Sequence, residues 1–321
     1  MRTRLSAVLA AGLLAATTAT LAPSAAAAPS DQGVASRSTT AAERQAALDY
    51  WTPERMRKAL PGERRISPLA KPSGQGKPGG GGGGGGSGTL SGVVSVAGAT
   101  SKGTDVVGKV FFTLKRTNYV CSASSVPSTH GNLVLTAGHC LHQGRGGSRG
   151  FASNFVFVPA YAGNGSTQVG PYGTWASSKL TTTSQWANSG DFVYDVGFAV
   201  MADGGASNSS VAAAVGTQGI TFGRGAGLTT TSYGYPAASP YDGTKLGRCD
   251  GTTFADVNMG GATQGLVCGM TGGSSGGPWY HDTGSGVYAH SVNSYKYTND
   301  TTRMYGPFFG SAIYSLYSSV D

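Results

Sequence analysis

Gly272-Gly273-Ser274-Ser275-Gly276-Gly277-Pro278, late in a chain of 321 residues, is the stretch from which the rest can be read. An ordinary strand loses stability to so many flexible residues unless they serve a purpose. The purpose these residues suggest is nucleophilic catalysis at Ser275. Small neighbours let a carbonyl approach the main chain, and the backbone N–H groups of Gly273 and Ser275 are placed to converge on an oxyanion. A flexible glycine-serine loop is the other reading of the same residues, and the rest of the chain decides between them.

A serine hydroxyl is a weak nucleophile at neutral pH and needs a base in hydrogen-bond reach, itself oriented by a third group. The chain has five histidines. One, His139, closes Leu133-Val134-Leu135-Thr136-Ala137-Gly138-His139-Cys140, an apolar strand that ends in a small-residue turn. An acid partner is offered by Asp195 in Tyr194-Asp195-Val196-Gly197-Phe198-Ala199-Val200, where one carboxylate leads into an apolar run. Asp191 competes, but Ser189-Gly190-Asp191 reads as a turn. His130, His142 and His281 stand beside Gly, Gln or Asp and read as solvated loop residues.

Taken together in the order His, Asp, Ser, the motifs around His139, Asp195 and Gly273-Ser274-Ser275-Gly276-Gly277-Pro278 resemble the chymotrypsin/trypsin family of serine peptidases. The resemblance runs from about Val106 to Asp321 and is closer to the secreted bacterial members than to the animal ones. It implies an all-β fold of two six-stranded barrels with the active site in the cleft between them. It also implies a His139, Asp195, Ser275 triad, an oxyanion hole at Gly273 and Ser275, polypeptide substrates, and neither metal nor organic cofactor. The Gly-x-Ser-Gly-Gly-Pro spacing selects Ser275 over Ser274 as nucleophile.

Two departures from the animal enzymes are informative. Ser274 stands where those enzymes carry an aspartate that pairs with a freshly cut terminal amine, so activation by a buried terminal ammonium is not expected. Gly269 stands where trypsin-like members carry an aspartate, so cleavage after Lys or Arg is not expected. By the same resemblance Gly269, Met270, His290 and Ser291 are the pocket candidates. His290 and Ser291 follow Gly286-Val287-Tyr288-Ala289, similar to the pocket-lining strand of glutamate-specific relatives. An imidazole with hydroxyl donors suits a substrate carboxylate, and no Glu occurs from Asp105 onward. An acidic preference is therefore weighed beside an apolar or small-residue one.

Four cysteines in an exported chain are expected to pair, and three pairings are possible. The family pattern favours Cys121 with Cys140, which leaves Cys249 to Cys268. No two cysteines have the close spacing of metal ligands.

Residues 1–28 read as a secretory signal: Arg2 and Arg4, an apolar core from Leu5 to Leu14, then a small-residue cleavage site before Pro29. The core is too short for a membrane anchor, which needs about 20 apolar residues. Residues 29–104 read as a propeptide and linker. A helical patch from Ala41 to Leu60 is interrupted by Pro53, and Gly79 to Gly86 form a tether with nothing to bury. Up to Thr104 there are 12 Lys/Arg against 5 Asp/Glu, and from Asp105 onward 11 against 10. The basic surplus thus belongs to the leader, and the domain lacks the cationic cluster of a nucleic-acid binder.

Residues 105–321 suffice for one large all-β domain. Apolar or β-branched runs recur at Val110 to Leu114, Tyr119 to Val126, Leu133 to Thr136, Phe155 to Val158, Val196 to Val200, Leu228 to Tyr235 and Val287 to Ala289. Ala312, Ile313, Leu316, Tyr317 and Val320 fall at helical spacing and predict one closing helix. The expected protein is a secreted, monomeric peptidase. The alternative, a catalytically silent homologue acting as a secreted binding protein, would not require all three triad positions.

Overall fold

The computed structural model describes residues 33–68, 90, 92–99, 101–163 and 170–321. The expected signal segment and the run Gly79 to Gly86 lie outside the described residues. The leader's composition does not suit a packed domain, yet residues 34–66 are packed. Strand β1 (Val34–Ser38) runs antiparallel to residues 179–183 of the domain. Thr40 and Glu43 form a capping box on helix α1 (Ala41–Tyr50).

Pro53, an interruption in the sequence pattern, begins a second helix, α2 (Pro53–Lys58), capped by Thr52. A proline is tolerated there because the first helical N–H has no intrahelical partner to lose. Two short strands follow, β2 (Leu60–Pro61) and β3 (Arg65–Ile66). The leader cannot bury its few apolar side chains alone, but the domain wall supplies the partner. Ala47, Trp51 and Met56 are buried, the Trp51 ring lies 5.5 Å from that of Phe111, and its Nε1 donates to the Asn154 carbonyl at 2.5 Å.

Strand β4 (Val94–Val96), ahead of Asp105, pairs antiparallel with residues 220–222. Strands β5 (Val107–Leu114), β6 (Thr117–Val126), β7 (Leu133–Thr136), β8 (Ser153–Pro159), β9 (Trp175–Thr183) and β10 (Gly197–Met201) then pair in the order β9-β10-β7-β6-β5-β8. Because β8 pairs back with β9, the ladder closes into a six-stranded barrel. Phe111, Leu133, Leu135, Phe157 and Phe198 are buried with it. Two short helices hang on its rim, α3 (Gly138–Leu141) after β7 and α4 (Ser184–Ser189) after β9.

After helix α5 (Val211–Val215) come β11 (Gly219–Phe222), β12 (Thr229–Gly234), β13 (Gly247–Thr252), β14 (Phe254–Ala255) and β15 (Thr263–Val267). Strands β16 (Pro278–Asp282), β17 (Val287–Val292), β18 (Tyr295–Tyr297) and β19 (Asp300–Pro307) complete the set. They form a six-stranded sheet, β13-β12-β16-β17-β11-β4, and a five-stranded one, β14-β15-β19-β18-β3. The Cys249–Cys268 bridge and a hydrogen bond from Ser291 Oγ to the Pro307 carbonyl join the two sheets into the second barrel.

The closing helix is α6 (Ser311–Ser318), with Ile313, Leu316 and Tyr317 buried as its spacing predicts. Tyr317 packs on Phe198 of the first barrel and Phe222 of the second, and its hydroxyl donates to the Pro127 carbonyl at 2.8 Å. The fold is therefore all-β, in two barrels closed by a C-terminal helix.

Candidate active site

Strand β7 ends at Thr136, and the chain turns through Ala137 into α3, which carries His139. Strand β10 lies beside β7 with Gly197 opposite Thr136, so the residues just before β10 meet those just after β7. Register alone thus brings Asp195 to His139. The Asp195 carboxylate accepts the His139 backbone N–H at 2.7 Å, meets Nδ1 at 2.8 Å and accepts the Ser294 hydroxyl at 2.5 Å. Asp195 is fully buried and His139 only 4% exposed. A carboxylate held this way keeps a proton on Nδ1 and leaves Nε2 as the basic nitrogen.

Asp191 does not reach the histidine. Its Oδ1 accepts the Val193 N–H at 3.0 Å and caps the short turn 192–194, and burial raises its carboxyl pKa.

The glycine-rich loop places Ser275 at the same cleft. Gly273 has φ of +95°, and a Cβ there would lie 2.8 Å from both Ala237 Cβ and the Tyr235 carbonyl. Only glycine fits this backbone, and its N–H points to the carbonyl oxygen of Gly62, in the leader, at 2.8 Å. The Ser275 hydroxyl donates to that same oxygen at 3.1 Å. Ser274 is turned away, its Oγ donating to the Thr271 carbonyl at 2.7 Å.

Two residues that the sequence did not single out hold the loop. Ser122 N donates to the Ser275 carbonyl and Ser122 Oγ to the Gly273 carbonyl. Asn293 Nδ2 donates to the Ser274 and Tyr233 carbonyls.

The pocket candidates divide. Gly269 is exposed with open space where a Cβ would stand, whereas Met270 is buried in a cluster with Leu266, Trp279 and Met304. His290 and Ser291 are not brought to the site. Strand β17 is an interior strand between β16 and β11, and the segment that reaches Ser275 lies beyond it. His290 is buried, with Nε2 bonded to Thr230 at 2.9 Å and Nδ1 near Gln264 at 3.5 Å. Burial first, with His281 adding, pulls its pKa down to about 3, so it stays neutral and offers no charge to a carboxylate. His142, expected in solvent, is also buried. It braces the turn after α3 through Gly147 and Gly144.

The pocket beside Ser275 is lined by Thr271, Ser294, Tyr295, Lys296, Met304 and the leader's Glu63. Lys296 had no sequence signal. Its ammonium is buried and donates to the Cys268 carbonyl at 2.8 Å and the Thr301 carbonyl at 2.6 Å. Among the described residues no carboxylate is within ion-pair distance of it. Burial first, with Arg65 adding, lowers its pKa to about 8. Behind this strand Asp256 accepts the hydroxyls of Tyr295 and Tyr297 at 2.6 and 2.7 Å and stiffens the pocket wall.

Cysteines 121 and 140 form one bridge and 249 and 268 the other. The first ties β6 to the residue after His139. Cys121, His139 and Cys140 cluster closely enough to suggest a metal site. The thiols are consumed in the bridge and Nδ1 is taken by Asp195, so this donor set does not suit a cation.

No protein-family model and no curated protein matches the chain. Among solved structures it is similar to the protease Anisep from Arthrobacter nicotinovorans, 44% identical over 71% of this chain and 99% of that one, with a TM-score of 0.62. It is also similar to AL20, a thermostable serine protease from an extremophilic microorganism, at 43% identity over 67% of this chain and 96% of that one, with a TM-score of 0.60. A Glu endopeptidase in complex with MPD, 17% identical over 73% of this chain and 98% of that one with a TM-score of 0.53, shares the fold. Identity above 40% along nearly the whole of two proteases leaves little room for a different use of the same barrels. The chain belongs to the chymotrypsin-like family of bacterial serine peptidases and is a serine endopeptidase.

Proposed function

We propose that the chain is a secreted serine endopeptidase that cuts polypeptides as a monomer, through a Ser275, His139, Asp195 triad and an acyl-enzyme intermediate. Its preference is for an acidic residue on the acyl side of the cut. One observation carries the reading: a peptide carbonyl, that of Gly62, rests on the Ser275 hydroxyl and the Gly273 N–H together. A site that holds a peptide carbonyl between a serine and a fixed backbone donor is a site for acyl transfer.

In the reaction Ser275 Oγ attacks the carbonyl carbon while His139 Nε2 takes its proton. The resulting oxyanion is held by the N–H groups of Gly273 and Ser275, each such donor being worth about 3 to 4 kcal/mol in comparable enzymes. Collapse breaks the C–N bond, and the departing amine takes the proton from Nε2. Water then gives a proton to Nε2 and attacks the ester, releasing the acid and returning the proton to Ser275. Asp195 orients the imidazole and balances its charge when protonated.

Two disulfides support an oxidising destination. No described helix is long and apolar enough to cross a membrane. The acidic preference is supported by Lys296 rather than by His290, since a buried ammonium without a carboxylate partner gains most from a ligand that supplies one.

Labelling with a fluorophosphonate, on protein freed of its leader, tests the triad. The adduct is expected on Ser275, and an adduct elsewhere or none at all overturns the reading. For specificity, Lys296→Met is expected to lower kcat/KM for a substrate with Glu before the cut by about 10- to 100-fold. A Leu substrate should change within about threefold. In the unaltered enzyme the Glu-over-Gln preference should decline as alkaline pH removes the Lys296 proton, which burial already holds below the ordinary lysine pKa. Equal losses on both substrates would refute the assignment.

A further inference from the structure

The cleft is occupied by the chain itself. Strand β2 pairs parallel with β6 at Tyr119 and Val120, and the Gly62 N–H donates to the Val120 carbonyl at 2.7 Å. The Gly62 carbonyl fills the position between Gly273 N and Ser275 Oγ. Beyond it, Lys296 N donates to the Arg64 carbonyl at 3.0 Å and Thr298 N to the Ile66 carbonyl at 2.9 Å, as β3 runs parallel to β18. Residues 60–66 thus cross the site held by main-chain bonds on both barrels. Upstream, β1 and the buried Trp51 and Met56 anchor the same segment to the first barrel.

We infer that residues 60–66 are an inhibitory strap, and that its release, not assembly of the triad, is what activates the enzyme. The inference rests on the peptidase reading above.

Three observations support it. His139 Nε2 is buried and has no hydrogen-bond partner among the described residues, while the Ser275 hydroxyl donates to the Gly62 oxygen instead. Attack requires the opposite arrangement, with that proton on its way to Nε2 and the Oγ lone pair facing the carbonyl carbon. The strap therefore engages the site without being positioned for cleavage. The His139 and Asp195 pairing is already formed beneath it, so once the strap leaves only the Ser275 hydroxyl has to turn toward Nε2.

Gly62 is also fitted to its place. A Cβ there would lie 2.6 Å from Cys121 Sγ, in the bridge behind His139, and 3.1 Å from the Val120 carbonyl. Neither a disulfide nor a strand backbone yields readily to such a contact. Tethering within one chain keeps the strap at high effective concentration while the leader stays attached. The parallel pairing, slightly weaker per residue than antiparallel, leaves it displaceable.

The test is the rate of fluorophosphonate labelling of the intact chain, verified uncut by mass, against Gly62→Val and Ile66→Pro. The first adds a side chain where the bridge forbids one, and the second removes an N–H from the β3–β18 ladder. Each is expected to raise the labelling rate at least about tenfold. Ile66→Pro decides the matter if the first variant does not fold.

Labelling of the unaltered intact chain as fast as the variants overturns the strap and leaves the peptidase standing. Cleavage between Gly62 and Glu63 in the intact chain overturns the unproductive pose. Absence of any adduct in the variants and in leader-free protein overturns the peptidase reading itself, and the strap with it.

Discussion

Replacing Ser275 by alanine is expected to lower kcat/KM on a peptide substrate by about 10⁴- to 10⁶-fold while leaving the fold intact. The loss is large because the acyl-enzyme route disappears. What remains is whatever the Gly273 and Ser275 N–H groups and substrate binding contribute to direct attack by water. The fold should survive because, among the described residues, the only hydrogen bond of the Ser275 hydroxyl runs to the leader's Gly62, not to the barrels. Measuring hydrolysis of a chromogenic peptide by leader-free protein, with thermal unfolding as the control, separates the two effects. Activity within tenfold of the unaltered enzyme would place the nucleophile elsewhere. Ser274 is a poor replacement, since its hydroxyl is spent on the Thr271 carbonyl.

The second large effect concerns the acid. Asp195→Asn is expected to lower kcat by about 10⁴-fold, because an amide cannot hold the Nδ1 proton or balance an imidazolium. Asp191→Asn, by contrast, should leave kcat within about threefold and stability nearly unchanged, because an amide oxygen can accept the Val193 N–H as the carboxylate does. The contrast follows from geometry: the Asp195 carboxylate meets the backbone N–H and Nδ1 of His139 and the Ser294 hydroxyl, whereas the Asp191 carboxylate meets only the Val193 N–H among the described hydrogen bonds. Kinetics and melting curves on the two variants check it. A large kcat loss in the Asp191 variant would reverse the assignment.

Much of the first barrel is legible in the sequence because its strands carry apolar runs between turn residues. Strand β7 coincides with the predicted Leu133 to Thr136, and β5, β6, β8 and β10 overlap their predicted runs. Strand β9, Trp-Ala-Ser-Ser-Lys-Leu-Thr-Thr-Thr, is missed because its polar residues look like a loop. In the fold Thr182 donates to the Val196 carbonyl and Thr183 to that of Tyr194, while Thr181 Oγ1 is buried without a partner among the described residues. Strand β18 escapes for a different reason. Three residues are too few to show a period, and their place is set by hydrogen bonds from the Tyr295 and Tyr297 hydroxyls to Asp256 and by pairing with β19.

The candidate site divides along the same line. Ser275, His139 and the glycines around the nucleophile announce themselves because their constraints are local: a tight turn, a positive φ, a side chain at the end of an apolar strand. Which acid serves His139 depends on the register of β10 against β7. Which residues line the pocket depends on the strand that follows Ser294, so the sequence points to His290 while the fold sets Lys296 beside Ser275.

The leader shows the limit most plainly. Its composition promises little packing, because composition counts only what a segment can bury against itself. Its Gly62 meets Ser275 across 213 residues. The sequence by itself determined the family and, once the family was known, the partners of each cysteine, since these reside in short motifs. Tertiary structure alone placed Lys296 beside Ser275 and the Gly62 carbonyl on the Ser275 hydroxyl, because both arise from contacts between distant segments that leave no local pattern.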